Sequence, residues 1–132
     1  MAKRDLAQII LFNERKDVYL QYRDEKAPTN PNTIGLFGGS IESDETPLQA
    51  VMRECTEETG YKLKSPDLLD KRAYNFGQFQ GMRFVFIEKY DGSSKLNCDE
   101  GRRGEWFSRL DLASNQNIVE QDKLVLDKFF KL

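Results

Sequence analysis

The chain has no histidine among its 132 residues. Serine and cysteine nucleophiles activated by imidazole are thereby excluded, and a zinc site would have to be built without imidazole ligands. Cysteine is scarce as well: Cys55 and Cys98 stand far apart, with no CxxC spacing between them. Long apolar runs are missing. The longest near the N-terminus covers residues 9–12 and is closed by the polar stretch 13–17, which is too short for a membrane span or a signal-peptide core. Excess charge is missing too. The formal net charge is −2 and Lys and Arg are scattered along the chain, so no basic groove for duplex nucleic acid is expected. These absences predict a soluble, cytoplasmic protein with no membrane partner. Its chemistry must rest on carboxylates, hydroxyls, lysines or a bound hard metal.

The length suits one domain, residues 1–132, able to bury roughly two thirds of its unfolded surface around a single core. The pattern along it mixes α and β structure without repeats. Residues 6–12 and 18–23 read as strands of a hairpin with a polar turn at 13–17, and residues 24–33 read as a loop. Residues 34–37 form a short apolar strand that ends at Gly38 and Gly39. Two further strands, 68–79 and 82–90, flank Gln80 and Gly81 as a second hairpin, and 103–107 adds another strand. Residues 118–130 close the chain with a helix whose apolar positions are Ile118, Leu124, Val125, Leu126, Phe129 and Phe130.

The strongest local signal lies at 46–60. Thr46, Pro47 and Gln49 fit a capping box, and Gly60 fits a helix stop, so a helix is expected over 47–59. At 100° per residue Leu48, Val51, Met52 and Cys55 share a buried stripe, which makes Cys55 a core residue. Glu54, Glu57 and Glu58 fall on the neighbouring arc, with Arg53 one turn from Glu57. The carboxylates are expected to converge. A helix C-terminus carries about half a negative charge, so acids there cost a few tenths to about 1 kcal/mol each. A hard divalent cation, which prefers carboxylate and carbonyl oxygens, removes that penalty.

From Gly39 the chain reads Gly, five residues, Glu45, seven residues, then Arg53-Glu54-Cys55-Thr56-Glu57-Glu58-Thr59-Gly60-Tyr61. This resembles the Nudix box Gx5Ex7REUxEExGU, in which U is a bulky aliphatic, with Cys55 and Tyr61 as mild departures at the U positions. The resemblance implies an α/β Nudix fold, a mixed β-sheet sandwiched between helices, and hydrolysis of a nucleoside diphosphate linked to another group with Mg2+ or Mn2+ as cofactor. The implied metal ligands are Glu54, Glu57, Glu58 and the carbonyl of Gly38. The water-deprotonating base would be Glu54 or an acid from a loop, with Asp99, Glu100 and Glu105 as candidates. Arg53 would orient Glu57 rather than touch substrate. Glu45 is placed to pair with the preceding loop and Glu42 to be exposed.

Substrate contacts lie outside the box. Arg23 and Arg83 are candidates for phosphates, with surface ion pairs as the alternative. Phe37, Tyr74, Phe76, Phe79 and Trp106 offer aromatic faces for a base, and Phe79 is the one taken as substrate-binding. The marks of the ADP-ribose, NADH and dinucleoside polyphosphate subgroups are missing, which leaves a MutT-like nucleoside triphosphate pyrophosphohydrolase as the default. An NDP-sugar or ADP-ribose hydrolase is the alternative, and a nucleotide-sensing module that has kept the fold is a third reading. Domains of this kind are often dimers, so a homodimer also belongs to what the resemblance implies.

Overall fold

The computed structural model describes residues 2–26, 31–96 and 102–132, the side chain of Arg102 aside. Pro28 and Asn30 of the expected loop, together with Cys98, Asp99 and Glu100, lie outside these residues. Strands β1 (Ala2–Lys3), β2 (Leu6–Phe12), β3 (Val18–Arg23), β4 (Thr33–Gly35) and β5 (Phe37–Ser40) precede helix α1 (Pro47–Thr59). Strands β6 (Asp67–Phe76), β7 (Phe79–Lys89) and β8 (Arg102–Phe107) then lead to helices α2 (Arg109–Ala113) and α3 (Glu120–Phe130).

Strand β2 is the centre of the sheet. It runs parallel to β7 along its whole length, from Leu6↔Arg83 to Phe12↔Lys89, and its other edge is shared by β5 and β3. Its near-continuous apolar sequence suits a strand covered on both faces. Ala7, Ile9 and Leu11 pack with Ala50, Val51 and Cys55 of α1, whereas Ile10 joins Leu112 of α2 and Val125, Leu126 and Phe129 of α3. The result is a mixed sheet between helices, the architecture implied by the resemblance.

The segment expected to be one strand over 34–37 is broken at Leu36. On its first side β4 pairs with β3, and on its second β5 pairs with β2, so the chain changes partner across one residue. A strand break orphans backbone groups, and buried orphans are costly. Side chains satisfy both here: the Leu36 carbonyl accepts from Gln21 Nε2 at 3.1 Å, and its N–H donates to the Asp122 carboxylate. Asp122 is in turn fixed by Arg83, Nη1 to Oδ1 at 2.5 Å, while Arg83 Nη2 donates to the Gln121 carbonyl at 3.0 Å. Both members of this pair are buried, each 5% exposed.

Three further details differ from expectation. The second hairpin turns at Gly77 and Gln78, not at Gln80 and Gly81, because Gly77 adopts φ 61° and Gly81 lies within the ladder opposite Tyr74. Glycine is needed at 81 for close approach: a Cβ there would stand 2.5 Å from the Arg4 carbonyl oxygen. Helix α3 begins at Glu120, since Ile118 is instead bridged to Ile34. Helix α2 was not anticipated, although Ser108 and Asp111 form a capping box whose spacing is visible in the sequence.

Replacing Asp122 by Leu leaves the Arg83 guanidinium buried without its counter-charge and is expected to destabilise the fold by about 3–5 kcal/mol, read by urea denaturation. The double variant Arg83→Met, Asp122→Leu should recover most of that loss. An equal cost in the single and double variants would show that the pair is not the source.

Candidate active site

Helix α1 forms as its sequence dictates. Gln49 N donates to Thr46 Oγ1 at 3.1 Å, Thr46 N donates to Gln49 Oε1 at 2.9 Å, and Gly60 closes the helix at φ 78°. Its buried arc is Ala50, Val51, Cys55, Glu58 and Thr59. Leu48 is 44% exposed and outside it, because the helix is turned to seat Glu58 against the sheet rather than its first-turn leucine. Burial lifts the Cys55 thiol to about 11, which fits an inert core residue.

The glycine pair is what lets α1 sit so close. Gly38 has φ 143° and a Cβ on it would run into the Ala7 carbonyl, so β5 can lie against β2 only without a side chain there. Its N–H donates to Glu58 Oε1 at 2.7 Å. A Cβ on Gly39 would stand 2.7 Å from Glu54 Oε1. Two of the three glutamates are thus pressed onto bare backbone.

Arg53 organises the remaining acids. It grips Glu45 with two bonds, Nε to Oε2 at 2.6 Å and Nη2 to Oε1 at 2.9 Å, a bidentate geometry that combines charge with fixed direction. Nη1 reaches Glu54 at 3.0 Å and Glu57 at 3.4 Å, and Nη2 also reaches the Ser40 carbonyl at 3.2 Å. Arg53 thus reaches Glu57, as expected, while its main partner is Glu45. Glu45 also accepts the Glu42 N–H at 3.0 Å, tying the loop to the helix. The Arg53 hydrogen bond, followed by that of Glu42, holds the Glu45 carboxyl at about 2, below its usual 4.5.

The expected convergence of the glutamates takes a looser form. Among the described residues no three acidic side chains stand close enough to hold an ion together, since Glu58 is turned to Gly38, while Glu54 and the 59% exposed Glu57 are turned to Arg53. The donor set nevertheless fits a hard divalent cation. It consists of carboxylates at the negative end of a helix, with no basic residue in the last turn.

Beside this turn lies a cleft of about 220 Å³, lined by residues of β2, β3, the broken strand and the start of α3. Gly38, Gly39, Arg23 and Phe79 line it, as do Tyr74 and Phe76. Arg83 does not, because its guanidinium is spent on Asp122 and Gln121; that corrects its reading as a phosphate contact or a surface pair. Phe37 and Trp106 are core aromatics, packed on Tyr19 at 5.5 and 5.1 Å. Glu105 pairs with Arg103 at 2.8 Å away from the cleft, while Asp99 and Glu100 fall outside the described residues. Two features escaped the sequence reading. Arg4 reaches the cleft and covers the Phe79 ring at 5.1 Å, and the amide oxygens of Gln8 and Gln21 are buried there without a partner among the described residues. No helix among the described residues is long and apolar enough to cross a membrane.

Comparison with known proteins gives a consistent result. The family model described as NUDIX domain matches residues 2–129. An 8-oxo-dGTP diphosphatase of Escherichia coli (strain K12) is 34% identical over 113 residues, covering 85% of each chain. A GDP-mannose pyrophosphatase of Cronobacter sakazakii is 25% identical over 133 residues, covering 91% of this chain and 69% of its own. A crystal structure of a MutT NUDIX hydrolase from Burkholderia pseudomallei superposes with a TM-score of 0.82 at 22% identity, covering 97% of this chain and 98% of that one.

The clamp on Glu45 has a direction in pH. A carboxyl whose folded value lies below its unfolded one stabilises the fold fully above about pH 4.5, and that contribution fades as pH falls toward about 2. Stability of a Glu45→Gln variant should therefore fall less steeply than that of the wild type between those limits, measured by thermal melts at a series of pH values. Parallel slopes would place the acid sensitivity in another group.

Proposed function

This chain belongs to the Nudix family, and from that premise we propose that it is a divalent-cation-dependent pyrophosphohydrolase that converts a nucleoside triphosphate to the monophosphate and pyrophosphate. The observation that carries the reading is the seating of Glu54 and Glu58 on the Gly38–Gly39 turn, with Arg53 bonded to Glu54 and Glu57. The 34% identity to an 8-oxo-dGTP diphosphatase supports a triphosphate substrate. The matched span of 2–129 supports reading residues 1–132 as one catalytic domain.

Glu54, Glu57, Glu58 and the Gly38 carbonyl hold the cation in this proposal. Mg2+ or Mn2+, when bound, neutralises phosphate charge and lowers the pKa of the attacking water. The protein is itself net negative, so a polyanionic substrate also needs the cationic side chains of the cleft. Arg23, at the end of β3, lines the cleft and serves as a phosphate contact in this reading. The water oxygen adds to phosphorus, its proton passes to Glu54 or to Glu100, and the phosphoanhydride oxygen departs with pyrophosphate. Arg53 contributes by fixing Glu54 and Glu57, and touches neither substrate nor water.

A second reading, hydrolysis of a nucleoside diphosphate sugar, is favoured by the similarity to a GDP-mannose pyrophosphatase, at lower identity. The products separate the two. With Mg2+ and a panel of triphosphates and nucleoside diphosphate sugars, release of inorganic pyrophosphate marks the first, and two phosphate-bearing organic fragments mark the second. Glu57→Gln is expected to lower turnover by about 100-fold or more while leaving the melting temperature unchanged, because the side chain is 59% exposed. Mg2+ should raise the melting temperature of the wild type more than that of the variant. Equal shifts would place the cation elsewhere.

A further inference from the structure

Arg4 is held through both its backbone and its side chain. Its N–H donates to the Gln80 carbonyl at 2.8 Å, its carbonyl accepts from the Tyr74 hydroxyl, and Gly81 clears the space against which that carbonyl rests. Its Nε donates to Ser40 Oγ, and its guanidinium lies over the Phe79 ring at 5.1 Å. Ser40 directly follows the glycine pair, and its own carbonyl is bound to Arg53 at 3.2 Å. The Arg4 side chain is thus tied to the residue that follows the glycine turn against which Glu54 and Glu58 rest. Among the described residues no carboxylate pairs with it.

The charge inventory of the cleft gives this placement its meaning. Of the ionisable side chains lining it, Arg4 and Arg23 are basic, and the one acid, Asp122, is already neutralised by Arg83. An uncompensated guanidinium stacked on an aromatic ring and fixed at one nitrogen still presents its remaining N–H groups in a planar fork, which suits phosphate oxygens. A free triphosphate ends in a phosphate with an additional negative charge. A nucleoside diphosphate sugar has none, since both of its phosphates are esterified at their outer ends. We propose that Arg4 binds the terminal phosphate of the triphosphate and thereby sets the preference for triphosphates over nucleoside diphosphate sugars. The inference rests on the triphosphate reading above and adds to it the residue that enforces the choice.

Equilibrium binding tests it without turnover. Wild type, Arg4→Gln and Arg4→Lys are titrated, with Mg2+ present, with an α,β-imido nucleoside triphosphate, the matching nucleoside diphosphate sugar and the monophosphate, each at several salt concentrations. Arg4→Gln is expected to weaken triphosphate binding by about 10–100-fold, the range of a lost charge-assisted contact, and to flatten its salt dependence. Affinity for the sugar nucleotide and monophosphate should stay within about 2–3-fold, and Arg4→Lys should regain part of the loss together with the salt dependence. A purely structural role would weaken all three ligands alike and would not follow charge. Such a uniform loss, or no loss at all, would overturn the proposal while leaving wild-type pyrophosphate release intact. A wild type that neither binds nor hydrolyses any triphosphate would overturn the underlying reading and this inference with it.

Discussion

The end of α1 rests on backbone that has no side chains, and the two glycines that make this contact also line the cleft. Gly38 offers an N–H to Glu58, and Gly39 offers only space to Glu54. Carboxylates so close to a sheet would ordinarily face carbonyl oxygens and repel them. The positive φ of Gly38 lets its N–H be offered to the helix instead, while β5 still pairs with β2 through Gln8↔Gly38. The same two residues therefore serve sheet pairing and acid placement. A methyl group on Gly39 would push Glu54 away, and one on Gly38 would force β5 off β2.

A second constraint acts from the opposite side of the sheet. The change of partner at Leu36 opens a gap in the ladder, and Gln21 and Asp122 close it from β3 and α3. Because Asp122 is bound to Arg83 of β7, one chain of contacts joins β7, α3, the strand break and β3. The cleft lies along this chain. Its walls are held by buried polar bonds whose directions are fixed, which suits a site that must present donors and acceptors to a ligand at set positions.

Much of this was legible in the residues. The capping box, the helix stop and the central apolar strands followed from local rules, and the acids on one helical arc followed from spacing alone. What escaped depends on pairing between distant segments. Nothing within residues 33–40 shows that the strand would split, because the split is set by which neighbours β3 and β2 offer. Leu48 looked apolar enough for the core, yet the rotation of α1 is decided by Glu58 reaching the glycine turn. Gly81 read as a turn residue, while its lack of a side chain in fact serves the close passage of Arg4, far away in sequence. Arg83 shows the same limit: a strand arginine can be solvated or paired, and only the position of α3 selects the pair.

The parallel ladder between β2 and β7 bears on the order of assembly. Leu6 pairs with Arg83 and Phe12 with Lys89, so the innermost strand finds one whole edge partner only after the chain has been made as far as β7. Contacts of such long sequence separation slow the search for the native state. During synthesis on the ribosome, the N-terminal hairpin and α1 must wait with a bare apolar strand edge until β7 emerges. That interval, rather than the finished molecule, is when this chain is most open to aggregation and to capture by chaperones.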